Sequence, residues 1–173
     1  MKKLMTIWLT RFSRNSAWVN NKVMKYTIRK AEKSDEKRIC DLFIEMLKTI
    51  YNTEDVKGYE DGDLNHYFEE NENVIFVAEL ENAVIGFLSV EVHRDEQEYI
   101  YLDDFSVSKN YRGNGIGNAL LKEAEEYGKF VKVTASLLHV EKTNERAFNF
   151  YKRNGYDIFE EQDNRLLLIK EFK

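Results

Sequence analysis

Seven consecutive residues, Tyr111-Arg112-Gly113-Asn114-Gly115-Ile116-Gly117, set the tightest limit on how this chain can fold. Upstream, residues 99–107 (Tyr-Ile-Tyr-Leu-Asp-Asp-Phe-Ser-Val) are rich in β-branched and aromatic side chains, which suits a strand. Downstream, Ile116, Leu120, Leu121 and Ala124 recur at helical spacing. Three glycines and an arginine therefore occupy the turn from a strand into a helix. Glycine lets the backbone take positive φ and come close to a ligand. Several N–H groups then converge on one anion beside the positive end of the helix dipole. Arg112 adds fixed charge, and the expected ligand is a phosphate or pyrophosphate.

The spacing separates nucleotide classes. A P-loop requires Gly-x-x-x-x-Gly-Lys-Ser/Thr, and no such string occurs. A dinucleotide fingerprint counted from Gly113 needs its third glycine at position 118, which is Asn118. The segment does match Arg-x-x-Gly-x-Gly at Arg112, Gly115 and Gly117. This resembles the acetyl-CoA signature of the GCN5-related N-acetyltransferases, and residues 107–121 are similar to that family throughout. The bland alternative is a glycine-rich helix entry with no ligand, which the order of strand, arginine and helix disfavours. A second segment carries the same resemblance: Asn144, Ala147, Tyr151, Gly155 and Tyr156 fall on the family's Asn, Ala, Tyr, Gly-Phe/Tyr pattern.

The resemblance covers residues 24–170 and implies the acyl-CoA N-acyltransferase fold, an α/β fold with a mixed, mostly antiparallel central sheet flanked by helices. It implies that the main-chain amides of Arg112, Gly113, Asn114, Gly115, Ile116 and Gly117 hold the pyrophosphate of acetyl-CoA. Phe105, Ser106 and Val107 would pair with the pantetheine amides as an added strand does, from a strand edge that splays away from its neighbour, commonly at a bulge. An amide in that stretch would polarise the acetyl carbonyl. Asn144 and Ala147 would line the cofactor side of the next helix, although a plain N-cap role also suits Asn144. Tyr151 would protonate the departing CoA thiolate, although packing beside Phe148 and Phe150 also suits it.

An alkylammonium with a pKa of about 10.4 cannot attack until it loses a proton, so a base is needed, and the residues do not single one out. His139 is a candidate, because an imidazole near pKa 6.5 is a serviceable base. Ribosomal-protein acetyltransferases of the family carry glutamate at that place, so this chain departs from that subfamily. Asp103 and Asp104 lie on the central strand and could act directly or through water. Tyr101 stands about where histone-type members have their glutamate. His66 and His93 have no partner arguable from the sequence, and no spaced cluster suggests a metal.

Length and charge bound the rest. At 173 residues, one domain is the natural count. The single cysteine, Cys40, excludes an internal disulfide and reads as packing on a helix. Residues 1–23 hold five of the 26 basic side chains and no acid, leaving 21 bases against 31 acids, a net of −10, over residues 24–173. An acidic domain argues against nucleic-acid binding and suits a cationic partner. The basic leader, 1–23, reads as an amphipathic surface helix or as a segment the fold does not need, with the acetyltransferase domain at 24–173.

The expected order is a strand at 26–29, a helix at 34–50, a short helix at 64–68 in the acidic stretch 54–72, and strands at 74–80, 84–92 and 99–107. A helix then runs from the glycine turn to Tyr127 with Gly128 as its C-cap, followed by a strand at 131–140, a helix at 144–153 and a closing hairpin. No apolar run spans a membrane, and a cytoplasmic enzyme is expected. Its activity would be acetyl transfer from acetyl-CoA to a primary amine by direct attack. The acceptor would be a polyamine, another small cationic amine, or a peptide amine. A non-catalytic CoA-binding or regulatory module and a larger acyl donor are the alternatives, and a homodimer stays open.

Overall fold

A computed structural model of the chain describes residues 13–19, 22–69 and 71–173, with side chains from Met24 onward. Eight strands lie among the described residues: β1 Ser13–Val19, β2 Lys22–Lys30, β3 Val74–Leu80, β4 Ala83–Arg94, β5 Glu98–Val107, β6 Ala135–Glu141, β7 Asp157–Glu161 and β8 Arg165–Glu171. They form one sheet in the order β1-β2-β3-β4-β5-β6-β8-β7, antiparallel except where β5 meets β6. Three helices, α1 Glu36–Tyr51, α2 Ile116–Phe130 and α3 Glu145–Arg153, join it.

Burial follows from two helices on opposite faces. Ile39 and Leu42 of α1 pack against Ile75, Val77 and Phe87. Ile116, Leu120, Ala124 and Tyr127 of α2 pack against Ile28, Phe76, Leu88, Ile100 and Leu102 on the other side. Covered on both faces, β3 is buried over five consecutive residues instead of alternating. Glu81 and Asn82, at φ 50° and 64°, make the two-residue turn that joins β3 to β4. Positive φ at both positions matches the turn that suits the twist of a hairpin. Cys40 packs with the α1 cluster, as its place in the helix pattern suggests. No described helix is long and apolar enough to cross a membrane.

Several elements differ from expectation. Residues 13–19, within the expected leader, form a strand paired along β2 from Ser13↔Ile28 to Val19↔Lys22. Residues 1–12 and 20–21 lie outside the described residues. The expected helix at 64–68 is only the 3-10 turn Asn65–Tyr67. Leu64, Tyr67 and Phe68 join the α1 cluster from this segment, about one turn's worth of apolar surface, and a single turn does not repay helix nucleation. Gly128 does not cap α2 but lies inside it, where a Cβ would stand 2.6 Å from Phe172 Cε2 and 3.1 Å from Ile100 Cδ1. Glycine is needed there for close packing, and the left-handed residue after the helix is Lys132, at φ 65°. Strand β6 begins at Ala135 because residues 131–134 turn and cross.

Candidate active site

The site begins where the sheet comes apart. Strands β5 and β6 pair at only three positions, Tyr99↔Ala135, Ile100↔Ser136 and Tyr101↔Leu137. Beyond them β5 stays bonded to β4 (Leu88↔Phe105, Phe87↔Ser106, Gly86↔Val107), while β6 stays bonded to β8. The two edges that face each other are left without a strand partner. A cleft of about 450 Å³ opens there, lined by Phe105, Ser106, Val107, Arg112, Gly113, Gly115, Ile116, Gly117, Asn144, Ala147 and Tyr151. Every cofactor-side residue expected from the sequence except Asn114 is brought to this one cleft. Met46, Thr49 and Ile50 of α1 and Arg146 and Arg153 of α3 also line it. None of these five was expected at the site from the sequence.

Gly113 and Gly115 sit at φ +82° and +77°, the latter as the N-cap of α2. Arg112 turns back on the loop: its Nε donates to the Val107 carbonyl at 2.7 Å, and Nη2 stands 3.9 Å from Glu45. The guanidinium thus braces the turn while its charge stays beside it. Asn114 closes the loop with its amide on the carbonyls of Tyr111 (3.1 Å) and Arg112 (3.3 Å). Asn144 is an N-cap, its Oδ1 accepting from the Ala147 N–H at 3.1 Å, and it also lines the cleft, so the two roles coexist. Tyr151 is buried edge-on to Phe150 and Tyr156, and burial, with a smaller effect of Tyr101, raises the pKa of its phenol.

His139 and Asp103 lie outside the lining of this cleft, on β6 and β5. The His139 Nδ1 is 2.8 Å from the Tyr101 hydroxyl, and its Nε2 is buried. Burial and the Arg165 guanidinium hold its pKa below 6.5, against the pull of Gln162 and Glu160. The register between β4 and β5 jumps from Leu88↔Phe105 to Val90↔Leu102, so Asp103 and Asp104 together oppose Ser89. The Ser89 hydroxyl fills this bulge, accepting from the Asp104 N–H at 2.8 Å. A bulge breaks the two-residue alternation, and here both carboxylates feel Glu91 and the phenols of Tyr59 and Tyr67. Asp103 is exposed as a residue, yet partial desolvation by the side chains around it, then Asp104 and Glu91, pushes its pKa up to about 6.

His66 and His93 do have a partner: each places Nε2 3.5 Å from a different oxygen of Glu91. Acids of the 54–72 stretch pair with lysines and arginines, Glu54 with Lys48, Glu60 with Lys57 and Glu72 with Arg94. Beside Tyr101 the negative charge includes Asp103 of β5 and Glu91 of β4. Among the described residues no group of three His, Cys, Asp or Glu side chains is disposed to hold a metal ion.

Comparison with known proteins agrees with this geometry. Residues 36–156 match the family model described as Acetyltransferase (GNAT) family. Streptothricin acetyltransferase A of Bacillus subtilis is 33% identical over 103 residues, covering 59% of this chain and 58% of that protein. An uncharacterized N-acetyltransferase of Methanocaldococcus jannaschii is 28% identical over 161 residues, covering 88% of this chain and 70% of its own length. The PaiA N-acetyltransferase of Thermoplasma acidophilum, solved with coenzyme A, superposes with a TM-score of 0.70 at 21% identity over 86% of this chain and all of that one. The chain belongs to the GNAT family and is an acetyl-CoA-dependent N-acetyltransferase.

The cleft suits that co-substrate. Its wall offers unpaired main-chain groups on β5, a glycine turn at a helix start, and apolar rings at Phe105 and Phe150.

Proposed function

We propose that the protein transfers the acetyl group to a primary amine on a small cationic molecule or a peptide, by direct attack of the nitrogen on the thioester. The observation that carries this reading is that two groups of side chains gather where β5 and β6 part. One lines the cleft, and the other is the Tyr101–His139 pair beside the carboxylates of β4 and β5.

Acetyl-CoA supplies an activated acetyl group. The N–H groups of residues 112–117, at the positive end of α2, hold its diphosphate. The edge of Phe105, Ser106 and Val107 takes its pantetheine arm in strand fashion, and an amide of that edge stabilises the oxyanion at the acetyl carbon. Glu91, Asp103 and Asp104 attract an ammonium to the opposite side. The proton it must lose passes to the Tyr101 oxygen while the hydroxyl proton moves to His139 Nδ1. Nδ1 is the nitrogen that takes part because Nε2 is buried. A pKa held below 6.5 keeps the imidazole neutral and able to accept at pH 7. Asp103 is the alternative acceptor, since a carboxylate near pKa 6 takes a proton more readily than an ordinary one.

Tyr151 stands on the cleft wall to hydrogen-bond the leaving sulfur. A phenol at its ordinary pKa of about 10 is a weaker acid than a thiol of about 8.5, and burial raises it further. Its contribution is therefore a positioned hydrogen bond more than a large proton-transfer drive. Release of free thiol from acetyl-CoA, measured against polyamines, aminoglycoside-like amines, lysine and peptides with free N-termini, tests the reading. Amine-dependent thiol release is expected. Tight acetyl-CoA binding with no release under any amine would favour the non-catalytic CoA-binding module.

A further inference from the structure

Among the described residues of the connection between α1 and β3 (52–73), the one helical element is the Asn65–Tyr67 turn, yet the connection is tied down at defined points. Leu64 and Tyr67 are buried against the α1 cluster. Tyr59 makes two contacts of different kinds. Its ring stacks on Phe43 of α1, centroids 4.0 Å apart and planes 13° from parallel, and its hydroxyl donates to Asp104 Oδ2 at 2.5 Å. One side chain thus joins the connection, α1 and the bulge of β5.

We propose that Tyr59 is a positioning residue for the amine side: by holding Asp104, it fixes the 52–73 connection against β5 and so sets the wall over which the acceptor approaches. This rests on the reading that the acceptor approaches across β4 and β5. The bulge turns two adjacent carboxylates toward Glu91, an arrangement of like charges that needs donors to hold its shape. Glu91 has His66, His93 and Tyr67 around it, the last at 3.4 Å. Asp104 has Tyr59, whose hydrogen bond opposes the effect of burial and favours the ionised form. Asp103 has no hydrogen bond or ion pair among the described residues, so it is the carboxylate that stays available to an incoming ammonium. Tyr59 itself lies outside the lining of the cofactor cleft, so its influence should fall on one substrate only.

Tyr59→Phe keeps the ring on Phe43 and removes only the hydroxyl. The expected result is a rise of about tenfold in KM for the amine, the scale of one hydrogen bond to a charged group. The affinity for acetyl-CoA should stay unchanged, and kcat at saturating amine should stay within about twofold. Because Tyr59 works through Asp104, the double variant Tyr59→Phe/Asp104→Ala should have the same amine KM as Asp104→Ala alone. An unchanged amine KM in Tyr59→Phe, or additive effects in the double variant, would overturn the proposal. Hydrogen exchange of the substrate-free protein reads the wall without turnover: amides of residues 53–69 should exchange faster in Tyr59→Phe, and unchanged protection would overturn the proposal whatever amine is accepted. Faster exchange in a protein whose wild type turns over no amine would support the positioning role and count against the proposed activity alone.

Discussion

Gly115 offers the sharpest test of the cofactor turn, because the cost of replacing it can be assigned to the backbone. It sits at φ +77°, ψ −2°, as the N-cap of α2. A Cβ built there meets only the Tyr26 hydroxyl, at 3.9 Å, so Gly115→Ala creates no clash. What remains is the preference of an L-residue against the left-handed region, about 1–2 kcal/mol, or a factor of about 5–30 in an equilibrium constant. That cost can appear in two ways. If the turn keeps its shape, the protein loses stability, about 2–4 °C in Tm for each kcal/mol in a domain of this size, and acetyl-CoA binds as before. If residue 115 relaxes to negative φ, the fan of N–H groups rotates away, Tm holds, and Kd for acetyl-CoA rises by about 5–30-fold. Calorimetric titration with acetyl-CoA and a thermal melt on the same sample measure both. Gly117→Ala is the control: it lies inside α2, and its Cβ would make ordinary contacts with Phe105 (3.5 Å) and Phe150 (3.6 Å), so Tm should match or exceed wild type. A Gly115→Ala protein unchanged in both Tm and Kd would refute the claim that the turn depends on positive φ.

Four further outcomes are expected. Tyr151→Phe keeps the edge-on packing with Phe150 and Tyr156 and should lower kcat by about 100-fold with Kd for acetyl-CoA unchanged, read by thiol release and calorimetry. In the wild type, kcat/KM should fall as the pH drops through the lowered pKa of His139; in His139→Gln the plateau should be lower and the acidic limb should move to the titration of Asp103, near pH 6. The Asp103 carboxyl is pushed up to about 6 in the folded protein from its ordinary value of about 3.9, so the folded state holds its proton more tightly and stability from this group is lost as pH rises through that interval. Asp103→Asn should therefore be more stable than wild type at pH 7 and equal to it below about pH 4, as denaturant melts at the two pH values will measure. A chain beginning at Met24 should fold and bind acetyl-CoA, because the family match, residues 36–156, lies wholly within it; loss of the cooperative melt would show that β1 is needed.

The two halves of the site were legible to different degrees, for physical reasons. The proposed cofactor half depends on main-chain conformation at positive φ, which glycine adopts most readily, so Gly113 and Gly115 mark the turn in the sequence itself. Asn144 and Tyr151 follow at helical spacing on one short element. The proposed amine half is assembled across the chain: Tyr101 and His139 are 38 residues apart, and Tyr59 and Asp104 are 45 apart. Alternation along β5 would send Asp103 and Asp104 to opposite faces; the bulge opposite Ser89 is a tertiary event without a local signature. The same limit hid the pairing of His66 and His93 with Glu91, and the packing of Phe172 and Ile100 that makes Gly128 a contact point instead of a helix end.

The three-rung junction between β5 and β6 has a consequence for how such a protein can change. Peptide groups are the same whatever residue carries them, so a donor groove walled by peptide groups survives most substitutions along its length. Side chains on the far rim are under no such constraint. Recognition of the nucleophile can therefore drift while the handling of the thioester stays put, and new acceptors become accessible to the lineage without rebuilding the machinery that delivers the acyl group.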